Sequence, residues 1–208
     1  LNFHVATSGL MMLLMTGMTA AIPIPSSYWY DKHSPMQIYH AGFVTMIVAI
    51  ALFCLFTVTG PIALVVVSFL LCGFGWGVGN GIPIQIALSG QQDTHDAGII
   101  SGTLLTLMNT FAVILLPIMT GIFRYAEQHA FQVALSESSL TLNLQQIQHV
   151  KIMASDPEHM ASYLTGLSSS AVTAIIHLFK QSFVVGLHWA FGVMLVLGVL
   201  VWLIANVL

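Results

Sequence analysis

Charged residues are scarce in this sequence. Asp, Glu, Lys and Arg make up only 5% of its 208 residues, whereas 57% are hydrophobic, and the mean hydropathy is +0.93. A soluble domain is about one quarter charged, so this composition argues against a soluble globular domain and favours a protein embedded in lipid. The four basic residues form no patch that could neutralise nucleic-acid phosphates, which argues against nucleic-acid binding.

Motifs for catalysis and metal binding are also missing. Cys54 and Cys72 lie in apolar runs, where a thiol behaves as a small hydrophobic group, and they lack the spacing of metal ligands. The nine histidines contain neither an i, i+4 pair nor an HExxH motif. The sequence contains no nucleophile elbow or phosphate-binding loop either, so it predicts no enzyme, no cofactor and no metal site.

Five apolar stretches are each long enough to cross a bilayer as an α-helix, which requires about 20 residues. These stretches cover residues 3–24, 38–58, 61–88, 97–123 and 183–207, and none has a charged residue in its interior. The apolar runs are continuous, whereas the strands of a membrane barrel alternate between apolar and polar residues. The predicted fold class is therefore an all-α membrane protein with about five transmembrane helices.

Charged residues return between positions 124 and 182, which predicts a long connection and not a further span. Within it, residues 140–152 and 171–183 carry apolar side chains at helical spacing. This spacing predicts amphipathic helices that lie on the membrane or cap the bundle. The predicted organisation is four transmembrane helices in residues 1–124, a long amphipathic loop in 125–182 and a last transmembrane helix in 183–208.

Glycine is unusually frequent in the third apolar stretch and at the start of the fourth. The glycines concerned are Gly73, Gly75, Gly77, Gly79 and Gly81, followed by Gly98 and Gly102. Glycine lowers helix propensity in water, but in lipid it lets a neighbouring helix approach closely. We therefore expect these residues to be helix-packing positions. Simple packing and a place along a transport path remain open alternatives, and both can hold.

The order of these motifs resembles the drug:proton antiporters of the major facilitator superfamily that have fourteen spanning helices. In that family a glycine-rich helix with a late proline precedes a short loop and an A-G-x-x-S-G motif, which residues 97–102 (AGIISG) match. Residues 182–191 (SFVVGLHWAF) resemble the F-x-x-G-L-H-x-A-F motif at the start of that family's last helix. The similarity covers essentially the whole chain, aligned with the family's last five helices.

The resemblance also assigns a conformational turn. Residues 31–35 (DKHSP) stand where the family has a D-R-x-G-P turn, whose acid latches one conformation, so Asp31 and Lys32 are the candidate residues. An ordinary solvated turn is the alternative. The sequence departs from the family in residues 109–121, which lack most of the expected glycines and contain Pro117. This departure argues against close packing of the fourth helix.

The resemblance implies a fold and a function. The chain would supply most of the C-terminal bundle of a major facilitator fold, as a fragment whose N-terminal half is missing. The whole protein would be a secondary active transporter in a bacterial inner membrane that exports small lipophilic or cationic compounds in exchange for protons. Its partners would be the lipid bilayer, the substrate, protons and the missing half. The alternative is a non-transporting membrane scaffold or a decayed transporter remnant.

The resemblance also implies which residues line the substrate cavity. In the family fold the equivalent of the third helix lines the central cavity, so Trp76, Asn80 and Gln85 are the candidates. Aromatic and amide groups can hold a lipophilic cation through stacking and cation–π contact. The alternatives are lipid contact for Trp76 and interhelical hydrogen bonds for the two amides. No carboxylate lies within a predicted span, so the coupling acid is expected in the N-terminal half.

Overall fold

The computed structural model describes residues 5–22, 25, 28–29, 32–89, 94–138, 146, 148, 150, 164 and 167–207, with side chains except at 5–8, 35, 80–97 and 207. Five helices account for most of these residues: α1 (Val5–Ala21), α2 (Pro35–Phe53), α3 (Ile62–Ser89), α4 (Thr94–Glu137) and α5 (Ser169–Val207). No strand occurs in this described part of the chain. The predicted all-α fold class is therefore confirmed.

Four helices, α2 to α5, are long and apolar enough to cross a membrane. Helix α1 is apolar but shorter, with 17 residues against the roughly 20 that a full crossing requires. The structure therefore supports four spanning helices among the described residues, where the sequence predicted about five. An integral membrane protein follows from the length and composition of these four helices.

Helix α2 starts at a capping box, which the sequence analysis did not identify. The Ser34 hydroxyl accepts a hydrogen bond from the Gln37 backbone N–H at 3.3 Å, and the Gln37 side-chain oxygen accepts one from the Ser34 backbone N–H at 3.3 Å. Pro35 fits the first turn because the backbone N–H that it lacks has no partner there in any helix. These interactions set where the polar turn ends and the membrane helix begins.

The helices form two packed groups. Helix α3 lies between α1 and α2, and these three form one group. Helices α4 and α5 form an antiparallel pair, because Phe123 contacts Phe183 whereas Phe131, further along α4, contacts the earlier residue Phe179. Contacts of α5 with α2 and of α4 with α3 join the two groups.

An aromatic cluster carries the contact between α2 and α5. The Phe53 ring stacks on Phe191 with centroids 4.8 Å apart, and its neighbours Phe56 and Phe69 meet it edge to face. One turn earlier on α5, the His188 Nε2–H donates to the Phe56 carbonyl at 2.7 Å. That carbonyl lies just after the end of α2, so His188 ties the two groups together.

Helices α4 and α5 extend far beyond the spans predicted for them. Helix α4 continues from the predicted end near residue 123 to Glu137, and α5 starts at Ser169, well before residue 183. At the usual rise they are about 66 and 58 Å long, roughly twice the thickness of the bilayer core. Residues 125–137 and 169–182, predicted to belong to the long amphipathic loop, therefore continue the spanning helices, and the helix predicted at 171–183 is part of α5.

The physical reason for these long helices is a continuous apolar contact along the pair. Phe131, Leu135, Ile175 and Val150 form a buried cluster beyond the charged residues that had marked the predicted ends. Each helix gains a partner for its apolar face by continuing, so neither ends at the first charged residue. Pro117 does not end α4 either, because the helix runs through it.

Candidate functional site

Helix α3 makes its closest contact with α1 through two glycines. A Cβ atom at Gly73 would collide with the Met15 carbonyl, and one at Gly77 would lie 3.0 Å from Ile22 Cβ. The Thr19 hydroxyl also lies 3.1 Å from the Gly73 carbonyl and 2.9 Å from the Met15 carbonyl, so it can bond either helix. Small residues and hydroxyl hydrogen bonds of this kind hold helices together in lipid.

A different face of α3 contacts α2, again through glycine. A Cβ atom at Gly75 would lie 2.9 Å from both the Gly42 carbonyl oxygen and the Met46 nitrogen. On α2, a Cβ atom at Gly42 would overlap the side chain of Val78, which is 1% exposed. Glycines at odd positions of one helix thus serve two neighbours, because residues two apart point to opposite sides of a helix.

The other predicted packing glycines have different surroundings. Nothing lies within 4 Å of the position that a Cβ would take at Gly79, Gly98 or Gly102. Around the last two, most described side chains in the first half of α4 are exposed. The surroundings of Gly81 fall outside the described side chains.

A cavity of about 260 Å³ opens between the start of α2 and the middle of α3. The residues that line it are Trp29, His33, Gln37, Ile38, Ala41, Gly42, Phe74 and Val78. The Trp29 and Phe74 rings face each other at 6.2 Å with a 54° tilt. Gln37 and His33 supply the polar groups. The volume and the mostly apolar lining suit a small lipophilic ligand with few hydrogen-bonding groups.

The structure places only part of the predicted site. Trp76 is 45% exposed and does not line this cavity. Asn80 and Gln85 lie on α3, but their side chains fall outside the described residues, so their predicted role stays a prediction. The cavity is nevertheless formed by the predicted helix, through Phe74 and Val78 on a different face from Trp76.

The predicted conformational turn is described only from Lys32 onward, because Asp31 lies outside the described residues. The Lys32 ammonium is 5.4 Å from the centre of the Tyr28 ring, a cation–π contact. Its backbone N–H donates to the Trp29 carbonyl at 3.1 Å. The turn is therefore linked to the cavity through His33, which belongs to both, and through the Trp29 carbonyl, which accepts this bond.

Sequence reasoning missed the three cavity residues that precede or begin α2. Trp29, His33 and Gln37 are spaced four residues apart, a spacing that places side chains on one side of a helical turn. That signal was present, but only residues 31–35 were interpreted, as a conformational turn. The spacing alone also could not show that Gly42 and Val78 would close the space beside it.

A buried ion pair lies in the contact between α4 and α5. Glu127 is fully buried, and its Oε2 lies 3.0 Å from Nη1 of Arg124, whose side chain is 42% exposed. The other oxygen, Oε1, has no hydrogen-bond partner. Glu127 lies on the part of α4 beyond residue 123, outside the span for which the sequence predicted no carboxylate, and it is buried there.

Among the described residues there is no group of three or more His, Cys, Asp or Glu side chains that could hold a metal ion. Comparison of the chain with models of protein families, with curated proteins and with solved structures gave no match.

Proposed function

We propose that this chain is part of a secondary active transporter, located in a bacterial inner membrane, that exports small lipophilic or cationic compounds in exchange for protons. The observation that carries the proposal is the cavity between α2 and α3, next to the turn that contains Lys32. Two aromatic rings, an amide and an imidazole line an otherwise apolar space within a membrane helix bundle.

The chemistry of the cavity fits this class of substrate. Trp29 and Phe74 can hold a flat or cationic molecule, since an aromatic face attracts a cation with about 0.5–2 kcal/mol. The oxygen of Gln37 is engaged with the Ser34 backbone, so its amide nitrogen is the group left to donate to a ligand. Such a site recognises the apolar surface of a substrate and only a few of its polar atoms. It can therefore accept substrates of varied structure, as an exporter of lipophilic compounds requires.

The packing around the cavity fits alternating access. In transporters of this kind, helix bundles rock as rigid bodies about a central site. Contacts such as Gly75 against the α2 backbone, together with the ring contact between Phe53 and Phe69, hold α2 and α3 together as one unit. A turn that shares His33 with the cavity and bonds the Trp29 backbone would connect the state of the site to the orientation of that unit.

A non-transporting membrane scaffold is the second candidate, and the surface of α4 favours it. Large apolar side chains are exposed on several sides of its first half, including Val113 at 71% and Leu116 at 70%. A scaffold would use such a surface to bind other membrane helices. In the transporter proposal the same surface meets lipid and the N-terminal half of the protein.

The test is efflux of ethidium from a drug-sensitive bacterial strain that expresses the full-length gene, with and without a protonophore. We expect efflux that the protonophore abolishes. Trp29→Ala should weaken apparent affinity about 2- to 30-fold, the factor that corresponds to the loss of one cation–π contact. Trp76→Ala is the matched control, because this tryptophan is exposed and outside the cavity, and it should leave efflux unchanged.

Other outcomes decide between the candidates. If Trp76→Ala weakens efflux and Trp29→Ala does not, transport is retained as the function but the site lies on the face of α3 that the sequence predicted. If well-expressed protein gives no protonophore-sensitive efflux across a chemically varied panel, the transporter proposal is wrong and the scaffold is favoured.

A further inference from the structure

A second, larger cavity forms a groove along the outside of the α4–α5 pair. Its volume is about 750 Å³. Pro117, Gly121, Tyr125 and His129 are among the α4 residues that line it, and Val185, Trp189 and Val193 line it from α5. The space exists because α4 presents small residues there. A Cβ atom added at Gly121 would meet nothing within 4 Å.

The groove crosses the level at which both helices leave the membrane. Helix α4 has no charged residue from 97 to 123, and the chain has none after Lys180. These two boundaries lie side by side, because Phe123 packs against Phe183 with ring centroids 5.1 Å apart. Charged groups stay out of the hydrocarbon core, so the membrane surface passes near Arg124 and Lys180.

The two ends of the groove differ in chemistry. The end within the membrane is lined by Pro117, Ile118 and Val193, which are all apolar. The other end carries Tyr125 and His129, whose rings stack with centroids 6.3 Å apart. Tyr125 is 75% exposed, so its hydroxyl faces outward. Aromatic residues with a polar tip favour this interfacial level of a membrane.

The polar end is complementary to an anion. The tyrosine hydroxyl and the imidazole N–H are hydrogen-bond donors, and the neighbouring residue Arg124 has a side chain that is 42% exposed. No Asp or Glu occurs among the described residues that line the groove. An anionic group at the membrane surface would therefore find two hydrogen-bond donors there, whereas Glu127 is buried behind them and paired with Arg124.

The length of the groove matches one leaflet. From Pro117 to His129 the helix rises about 18 Å. This length is close to the thickness of one leaflet, which is half of the roughly 30 Å hydrocarbon core together with part of the headgroup layer. An acyl chain that follows the groove from Val193 outward would bring its phosphate to the level of Tyr125 and His129.

We propose that this groove is a binding site for a membrane phospholipid, with one acyl chain between α4 and α5 and the phosphate at Tyr125 and His129. The inference depends on the membrane-spanning pair and not on transport. Ordinary lipid contact predicts only exchange in proportion to bulk composition, whereas a site predicts preference for lipids that carry a phosphate. That difference is measurable because Trp189, which is 61% exposed, lies in the groove.

The experiment uses the full chain in lipid nanodiscs. Trp29, Trp76 and Trp202 are replaced by Phe, so that Trp189 is the only tryptophan left and the only source of tryptophan fluorescence. Quenching is measured as a phospholipid with brominated acyl chains is added to a background of unbrominated glycolipid, which carries no phosphate. The same titration is repeated with brominated diacylglycerol, which has the chains but no phosphate. We expect the phospholipid to saturate quenching at a mole fraction at least about tenfold lower, the effect of one hydrogen bond to a charged group.

Two glycine variants locate the effect. Gly121→Leu fills the groove and should make the two lipids equivalent. Gly102→Leu is the matched control on the same helix, since a Cβ there also meets nothing within 4 Å and Gly102 is outside the groove. It should keep the preference for the phospholipid. If Gly121→Leu does not fold, Tyr125→Phe combined with His129→Ala provides the same test, because it removes the donors and keeps the groove.

Two results would overturn the proposal. Equal quenching by the two brominated lipids in the parent protein would show ordinary lipid contact. No quenching by either would show that protein, as a second copy or another segment, covers the groove.

Discussion

The closest helix contacts differ between the α1–α3 group and the outer half of the α4–α5 pair. In the α1–α3 group the closest contacts are backbone against backbone, at Gly73, Gly75 and Gly77. In the outer half of the α4–α5 pair the contacts are between large side chains, with Phe131 and Ile175 fully buried. The glycine contacts lie between helices that are surrounded by lipid. The outer half of the α4–α5 pair instead extends past the charged residues at which these two helices leave the membrane.

The difference follows from the solvent around each group. Lipid tails are as apolar as leucine, so helices in the membrane gain little by burying large apolar side chains and associate through close packing and hydrogen bonds. Beyond the membrane, water returns and apolar burial is again worth about 25 cal/mol per Å². The α4–α5 pair therefore changes along its length from a membrane contact to a core like that of a soluble helical hairpin.

The largest expected effect tests the outer half of the α4–α5 pair, where apolar burial from water stabilises the contact. Phe131→Ala should destabilise the outer hairpin by about 4 kcal/mol, since it removes a fully buried ring that contacts Phe179. Phe111→Ala is the matched control on the same helix, where the ring is 58% exposed, and it should change stability little. Hydrogen exchange of α4 and α5 amides in nanodiscs measures both. Equal effects would mean that the two halves of α4 pack in the same way.

A somewhat smaller effect tests the glycine-packed group. Gly75→Leu should destabilise the protein by about 3 kcal/mol, because the added side chain meets the α2 backbone and overpacking cannot be relieved by a rotamer change. Gly79→Leu, one turn further along α3, meets open space and should be tolerated. Thermal unfolding in detergent compares the two. Tolerance of both variants would contradict the close approach of α2 and α3.

The smallest effect concerns the junction between the two environments. Arg124→Ala should cost about 2 kcal/mol, below the usual 3–5 kcal/mol for breaking a buried pair, because the arginine is partly exposed and its charge partly screened. The loss arises because Glu127 stays buried without a partner. Replacing the carboxylate instead, with Glu127→Leu, should be close to neutral, since Arg124 can turn to water. Chemical denaturation of both variants measures this asymmetry. A larger loss of stability for Glu127→Leu than for Arg124→Ala would contradict it.

Several features of the site were predictable and others were not, for identifiable reasons. The glycine spacing on α3 indicated close packing. Gly73, Gly75 and Gly77 are closely packed because the two helices next to them, α1 and α2, belong to this chain. Gly98 and Gly102 have the same residue type, yet no described helix covers them. Residue type thus indicates the capacity for close contact, whereas the contact itself depends on where other helices lie.

The cavity illustrates the same limit. Trp29 and Trp76 have the same side chain, and the sequence favoured the one on the glycine-rich helix. The structure places Trp29 against Phe74 and leaves Trp76 exposed, because the face of α3 that carries Phe74 and Val78 is the one turned toward the start of α2. A face can be assigned only when the neighbouring helix is known.

The sequence by itself determined that the chain is a membrane protein made of helices. That conclusion needs only the scarcity of charge and the length of the apolar runs, since lipid leaves the backbone of such runs few other ways to satisfy its hydrogen bonds. The tertiary structure alone decided how far α4 and α5 continue beyond the membrane, that Glu127 is buried, and which tryptophan lines the cavity. Those features arise from contacts between residues distant in sequence, such as Phe131 with Phe179, which no local pattern contains.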